Sequence, residues 1–152
     1  NEALSNRLAH AQNKILLFND MSNLAELFCN MFELKNVWLR MGISTKATCP
    51  RFHVDYLKCR LLTTYYGPGT EWLPNDLIDR RKLKFNQKFS TDQDGLFSSK
   101  TDIKQLATGD VALLKGELWS GNKGQGLVHR SPYYNQKYRR LYLTIDFSDL
   151  KN

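Results

Sequence analysis

The sequence predicts a mainly β domain with N-terminal helices, an α+β fold class whose short strands form a closed or double-sheet architecture. Apolar residues recur at helical spacing in the first third of the chain. From residue 36 onward, short segments of β-forming residues are separated by glycine and proline. The 152 residues, 41% hydrophobic and 24% charged, suit one globular domain over residues 1–152 and exclude wholesale disorder.

Helices are predicted over residues 1–35, packed on the sheet. Residues 19–22 offer capping side chains between two apolar stripes, so a new helix is expected to begin there. The stripes consist of Leu4, Leu8, Ala11 and Ile15, and then of Leu24, Leu27, Phe28, Met31 and Phe32. We expect both stripes to face the core, because the members of each share one helical face.

Residues 36–152 are predicted to form the β core, with a long loop near residues 86–108, where the sequence is polar and weakly patterned. The strand candidates are residues 37–41, 60–66, 111–115, 127–130 and 140–147. The last candidate alternates strictly, and residues two apart on a strand share a face. One face is therefore expected to carry Arg140, Tyr142, Thr144 and Asp146, and the other Leu141, Leu143, Ile145 and Phe147.

The formal net charge is +7, and five cations between residues 80 and 88 have no acid among them. They are Arg80, Arg81, Lys82, Lys84 and Lys88. Three interpretations stay open: a solvated face, a phosphate-binding surface for nucleic acid, or a basic lip that collects an anionic substrate. Aromatic residues do not alternate with these charges, which favours the solvated face over a stacking platform.

The chain has three cysteines, Cys29, Cys49 and Cys59, and no CxxC pair. This count predicts neither a secreted disulfide framework nor a zinc ribbon, so a cytoplasmic location is expected. No apolar run approaches the roughly 18–20 residues of a membrane helix, so no membrane partner is expected. The first residue is Asn1 rather than Met, so we expect the sequence to be part of a longer chain.

Two of the three histidines form a candidate metal site with an aspartate. His53 and Asp55 are two residues apart, so on extended backbone they point the same way. His129 ends a second extended segment. Two imidazoles and one carboxylate on one face of an octahedral ion leave three positions open, which is the ligand set of non-haem iron oxygenases. The competing interpretation is a hydrogen-bonded strand histidine and an aspartate that caps a turn.

Arg140 is the candidate partner for a carboxylate of a dicarboxylic co-substrate, because the guanidinium fork matches carboxylate geometry. Tyr142 and Thr144 share its face and offer hydroxyl groups, and Tyr66 is a further co-substrate candidate. The alternative for Arg140 is a surface salt bridge. Trp72 and Trp119 either line a pocket or serve only the structure.

The order of these motifs resembles the double-stranded β-helix (jelly-roll, cupin-like) fold of iron- and 2-oxoglutarate-dependent dioxygenases. The resemblance covers roughly residues 37–147. It implies that His53, Asp55 and His129 bind Fe(II) and that Arg140 binds the distal carboxylate of 2-oxoglutarate. Relatives that demethylate nucleic acids carry an asparagine and a second arginine on the last strand. This chain has Tyr142 and Asp146 there, which disfavours a nucleic-acid substrate.

The sequence is also similar to a bacterial family known as domain of unknown function 1826, through the strings CPRFHVD, RLLTTYYGPGTEWLP, GDVALLKGELW, GLVHRSP and RRLYLTIDF. That family is often linked with zinc-homeostasis genes. The leading hypothesis is therefore a dioxygenase acting on a small molecule or a protein, with a non-enzymatic zinc-binding protein as the alternative. A basic nucleic-acid-binding module is the third hypothesis. The sequence leaves the substrate and the oligomeric state open.

Overall fold

The computed structural model describes residues 2–83, 95–133 and 139–148, with side chains described from residue 10 onward. These ranges contain one α-helix and eight β-strands. They are α1 (Glu2–Phe32), β1 (Val37–Ser44), β2 (His53–Val54), β3 (Cys59–Tyr66), β4 (Glu71–Leu73), β5 (Lys104–Gln105), β6 (Val111–Lys115), β7 (Val128–Arg130) and β8 (Arg140–Phe147). The predicted mainly β, α+β class is confirmed.

The strands form two four-stranded antiparallel sheets, ordered β1-β8-β3-β6 and β2-β7-β4-β5. The pairs β1–β8, β2–β7, β3–β6 and β4–β5 nest around the middle of the chain. Successive pairs alternate between the two sheets. Residues far apart in the sequence, such as His53 and His129, are therefore neighbours in the fold.

The prediction of two N-terminal helices is wrong, because α1 continues through residues 19–22. Side chains that can cap a helix interrupt it only where tertiary packing does not favour a continuous helix. Here Met21 and Leu24 are both buried against the sheet, so packing favours an uninterrupted helix. The Asp20 carboxylate makes a tertiary contact instead, since it accepts a 2.6 Å hydrogen bond from the Tyr65 hydroxyl.

The first apolar stripe was expected to face the core, and its described members Ala11 and Ile15 are exposed. Ile15 is 60% exposed. A helix of 31 residues is about 46 Å long, whereas the eight residues of β8 span about 27 Å. The sheet is therefore too short to cover the whole helix, and the buried contacts begin at Leu17.

The two faces of the β1-β8-β3-β6 sheet differ in polarity. Leu61, Leu143 and Ile145 pack against α1, where Phe28 is fully buried. Because side chains alternate along a strand, the residues between them face the second sheet. On β8 those residues are polar, as the alternation predicted, so the space between the sheets has a polar wall.

A second apolar cluster lies on the other sheet and consists of Phe52, Leu73, Leu96 and Val128. Leu96 comes from the segment predicted as a long loop. Residues 86–94 of that segment lie outside the described residues. The rest contains a 3-10 turn, Lys100–Asp102, and the short strand β5.

The turn at residues 67–70 carries the chain from β3 in one sheet to β4 in the other. Gly67 adopts a φ of 84°, a left-handed conformation that favours glycine. A Cβ there would lie 2.5 Å from the carbonyl oxygen of Arg139, so only glycine fits. Within the described ranges, the structure contains no helix with the length and apolarity that a bilayer crossing requires.

Candidate metal centre

Strands β2 and β7 place two histidines opposite each other. His53 pairs with His129 across this antiparallel ladder. Directly opposed residues project to the same face of a sheet, so the two imidazoles come together. Their ring centroids are 4.6 Å apart. His129 is buried, whereas 34% of the His53 side chain is exposed, so the pair lies at an opening of the intersheet space.

Both imidazoles are oriented by the backbone in the same way. His53 Nδ1 lies 2.9 Å from the carbonyl oxygen of Arg51, and His129 Nδ1 lies 3.1 Å from that of Leu127. A carbonyl accepts, so each Nδ1 carries the proton. The Nε2 atom of each ring points toward Asp55 and is the atom through which the ring would bind a metal ion.

Asp55 completes the cluster. Its Oδ1 lies 3.4 Å from His53 Nε2, and its Oδ2 lies 3.5 Å from His129 Nε2. One ligand atom from each residue lies within 4.8 Å of the other two, and among the described residues this is the group of three that could hold a metal ion. The structure therefore brings together the three predicted ligands in an arrangement that can hold a metal ion.

Arg60 of β3 connects this cluster to the last strand. Its Nη1 donates a 2.6 Å hydrogen bond to Asp55 Oδ2. Its Nε and Nη2 donate to the two carboxylate oxygens of Asp146, at 2.7 and 2.8 Å. The guanidinium thus binds Asp146 in bidentate fashion and also holds Asp55 in place.

The same contacts set the protonation of the cluster. Burial alone would raise the pKa of Asp55, but hydrogen bonds from His129 and His53 and the charge of Arg60 lower it well below its usual range. Burial alone would lower the pKa of His53, but its hydrogen bonds to Asp55 and to the Arg51 carbonyl raise it. Asp55 is therefore ionised at neutral pH, as a metal ligand must be.

Arg140 and Asp146 lie on the same face of β8, toward opposite ends of the strand, and Arg140 is 3% exposed. Its Nη2 donates to the hydroxyl oxygens of Thr64 and Thr70, at 3.0 and 2.9 Å. The Thr144 hydroxyl, between Arg140 and Asp146 along the strand, is buried and has no hydrogen-bond partner among the described residues. This polar row provides a buried cation, Arg140, and a buried hydroxyl, that of Thr144, whose hydrogen-bonding capacity is unused among the described residues.

The two predicted tyrosines lie in different surroundings. The ring of Tyr142 lies against Gly42 of β1, where a Cβ would meet its Cζ atom at 2.5 Å. The Arg140 guanidinium lies over the same ring, 4.9 Å from its centroid. Tyr142 thus supports Arg140 from one side. Tyr66 ends β3 and is 61% exposed, so the structure does not bring it into the buried row.

The basic run contributes to local structure where it is described. Arg80 donates to the side-chain oxygen of Asn75 and to the carbonyl of Gly126. Arg81 forms a bidentate pair with Asp79. Lys84 and Lys88 lie outside the described residues. Two cations of the run thus have partners within the chain, and the nucleic-acid interpretation stays a prediction.

Sequence reasoning missed three contributors to this region. The alternation of β8 predicts that Asp146 lies on the polar face, but no feature of the sequence indicates that it binds Arg60. Thr64 and Thr70 carried no signal, because threonine is common in strands and turns and their meeting at Arg140 depends on the crossing between sheets.

Cys59 is buried, which raises the pKa of its thiol to about 11, and Cys49 is exposed; both are free.

Comparison with known families gives one match. A family model described as "Protein of unknown function (DUF1826)" matches residues 1–146. The chain belongs to this family. Membership in the DUF1826 family agrees with the motif strings of the sequence and assigns no activity to the protein. Neither the curated proteins nor the solved structures yielded a match.

Proposed function

We propose that this DUF1826 protein is a dioxygenase-like protein that binds Fe(II) through His53, Asp55 and His129 and uses 2-oxoglutarate as co-substrate. The observation that carries the proposal is the convergence of the three ligand atoms within 4.8 Å, with both imidazoles oriented through Nδ1. A cytoplasmic location belongs to the same proposal, because free cysteines suit a reducing compartment.

The proposed fold is a double-stranded β-helix, or jelly roll. The nested strand pairs and their alternation between two four-stranded sheets support it, because a jelly roll is an antiparallel ribbon wound in this way. In such a fold the space between the sheets holds the ligands. The ladder between β2 and β7 lies at the opening of that space, where the two histidines meet.

The donor set fits a divalent metal that prefers imidazole and carboxylate ligands. Two Nε2 atoms and one carboxylate oxygen would hold such an ion, and this is the ligand set that suits a non-haem Fe(II) site. Arg60 binds Asp55 Oδ2, which favours binding of the metal through Oδ1 alone. It also fixes the carboxylate against rotation, as outer-shell partners of metal ligands do.

The co-substrate is proposed to lie along the polar row of β8. Arg140 supplies a buried guanidinium for the distal carboxylate of 2-oxoglutarate, and Thr144 supplies the buried hydroxyl that has no partner in the described structure. Asp146, bound to Arg60, marks the end of the row that is nearest the metal ligands.

Iron and 2-oxoglutarate, when bound, supply the oxidising chemistry: a substrate C–H group, O2 and 2-oxoglutarate become an alcohol, CO2 and succinate. The residues of the chain bind and orient. His53, Asp55 and His129 hold the ion, Arg60 keeps Asp55 ionised and oriented, and Arg140 orients the co-substrate. The buried position of His129 limits access of water on one side of the cluster.

The proposal is tested by loading the metal-free protein with Fe(II) anaerobically and then adding 2-oxoglutarate. We expect a visible charge-transfer band, and succinate after exposure to air. His129→Ala is expected to abolish both, while Arg140→Lys keeps the metal and loses about tenfold or more in 2-oxoglutarate affinity, because a bidentate charged contact is lost. His10→Ala, on the exposed part of α1, is the matched control.

Stoichiometric zinc in protein purified without chelators, with neither a band nor succinate after iron loading, would overturn the dioxygenase proposal. That outcome supports the zinc-binding alternative, because the same three ligands and a water molecule satisfy tetrahedral zinc. Retention of metal by His129→Ala would overturn the proposed site itself.

A further inference from the structure

A cavity of about 260 Å³ lies between β4 and β6, which belong to different sheets. Its walls are mostly apolar and are lined by Trp72, Leu106, Ala112, Leu113, Leu114 and Leu127. An apolar cavity of roughly 150 Å³ is enough to bind benzene in another protein. This one therefore has room for a small ring with a short chain attached.

The cavity adjoins the metal ligands on both walls. Trp72 of β4 pairs with His129 of β7, and neighbouring strands lie about 4.8 Å apart. Leu114 of β6 pairs with Arg60 of β3, which holds Asp55. An apolar group bound in the cavity would thus lie one strand spacing from His129 on one side and from Arg60, the partner of Asp55, on the other.

The polar end of the cavity is Thr70. This residue lines the cavity, and its hydroxyl accepts the 2.9 Å hydrogen bond from Arg140 Nη2. None of the residues that line the cavity has a charged side chain. A dicarboxylate needs donors at both ends, so these walls suit an uncharged group better than the co-substrate.

We infer that this cavity binds an apolar aliphatic or aromatic group of the substrate, of about the size of toluene or propylbenzene. The reaction of that group rests on the proposed function, since oxidation needs the neighbouring iron and 2-oxoglutarate. The binding does not, because the walls are formed by the chain alone. The substrate class is accordingly a small molecule, or a side chain, with an uncharged hydrocarbon end.

The experiment is a titration of the full metal-free chain with toluene, followed by chemical shifts in 1H–15N NMR spectra. We expect saturable shifts that include the indole N–H of Trp72. Ala112→Leu fills the cavity and is expected to lower toluene affinity at least tenfold. Val111→Leu is the matched control, because Val111 is not among the residues that line the cavity and is 50% exposed.

Leu106→Ala is the second variant, in case Ala112→Leu does not fold. It enlarges the cavity and is expected to raise the affinity for propylbenzene relative to toluene several-fold. Absence of saturable toluene shifts, equal effects of Ala112→Leu and Val111→Leu, or displacement of toluene by 2-oxoglutarate would overturn the inference.

The two proposals fail separately. Toluene binding that is lost in Ala112→Leu, in a protein that forms no succinate, supports the cavity and refutes the dioxygenase. Succinate formation by a protein that does not bind toluene supports the dioxygenase and refutes the cavity.

Discussion

Replacing Arg60 with methionine tests how the polar space between the sheets is stabilised. Arg60→Met keeps the length of the side chain and removes its charge and its three hydrogen bonds. Asp55 and Asp146 then remain as two carboxylates in an enclosed space, with side-chain exposures of only 16% and 18%. Leaving buried charges without their partner is among the most destabilising single changes in a protein.

The expected loss is about 3 kcal/mol in the free energy of unfolding. Removing one partner of a fully buried pair costs roughly 3–5 kcal/mol, and the lower end applies because 20% of the Arg60 side chain is exposed. With a urea dependence of about 2 kcal/mol per M, the midpoint of unfolding should fall by about 1.5 M.

The assay is urea unfolding of the metal-free protein at neutral pH, followed by circular dichroism. Arg81→Met is the control, because the Arg81–Asp79 pair lies on the surface and solvent screens it, so little change is expected. Asp146→Asn in the Arg60→Met background should recover part of the loss. A midpoint for Arg60→Met within about 0.3 M of the wild-type value, which corresponds to roughly 0.6 kcal/mol in the free energy of unfolding, would refute this account.

The pH dependence of the Arg60→Met effect gives a further check on the same reasoning. A carboxyl whose pKa is lowered by folding contributes stability above its unfolded pKa and loses it as the pH falls through the folded value. The pKa of Asp55 is lowered in this way. The difference between wild type and Arg60→Met should therefore be largest near neutral pH and narrow below about pH 4.

The remaining predictions concern packing and thiol reactivity. Phe28→Ala should destabilise the protein by about 3–5 kcal/mol, because Phe28 is fully buried between α1 and the sheet; a loss below 1 kcal/mol in calorimetry would contradict this packing. Cys59 should resist alkylation in native protein at pH 8, whereas exposed Cys49 reacts, as read by peptide mass spectrometry. Burial raises the pKa of Cys59 to about 11, so its reactivity should rise only as the pH approaches that value; equal labelling of both thiols at pH 8 would disprove its burial.

The last strand was the most predictable part of the fold. Strict alternation over residues 140–147 assigns each side chain to a face, and the structure has Leu143 and Ile145 against the helix with Arg140 and Asp146 on the other side. This pattern is local, since every second residue of a strand must point the same way. The same two-residue period of a strand predicted that His53 and Asp55 lie on one face.

The helix shows where local reasoning fails. Residues 19–22 include side chains that can cap a helix. The burial of Met21 and Leu24 nevertheless stabilises a helix that continues through this segment. Likewise, the exposure of Ile15 depends on the sheet ending before the helix does. Neither outcome can be read from a stripe of apolar residues, because a stripe shows which residues share a face and not what covers that face.

By itself, the sequence determined the fold class, the family and the three residues of the candidate metal centre, because strand alternation and motif order are written along the chain. Only the tertiary structure decided that Arg60 joins Asp55 to Asp146, that Thr64 and Thr70 meet at Arg140, and that an apolar cavity lies beside the cluster. These contacts join residues as many as 86 positions apart. They arise from the way the two sheets face each other, which no local pattern specifies.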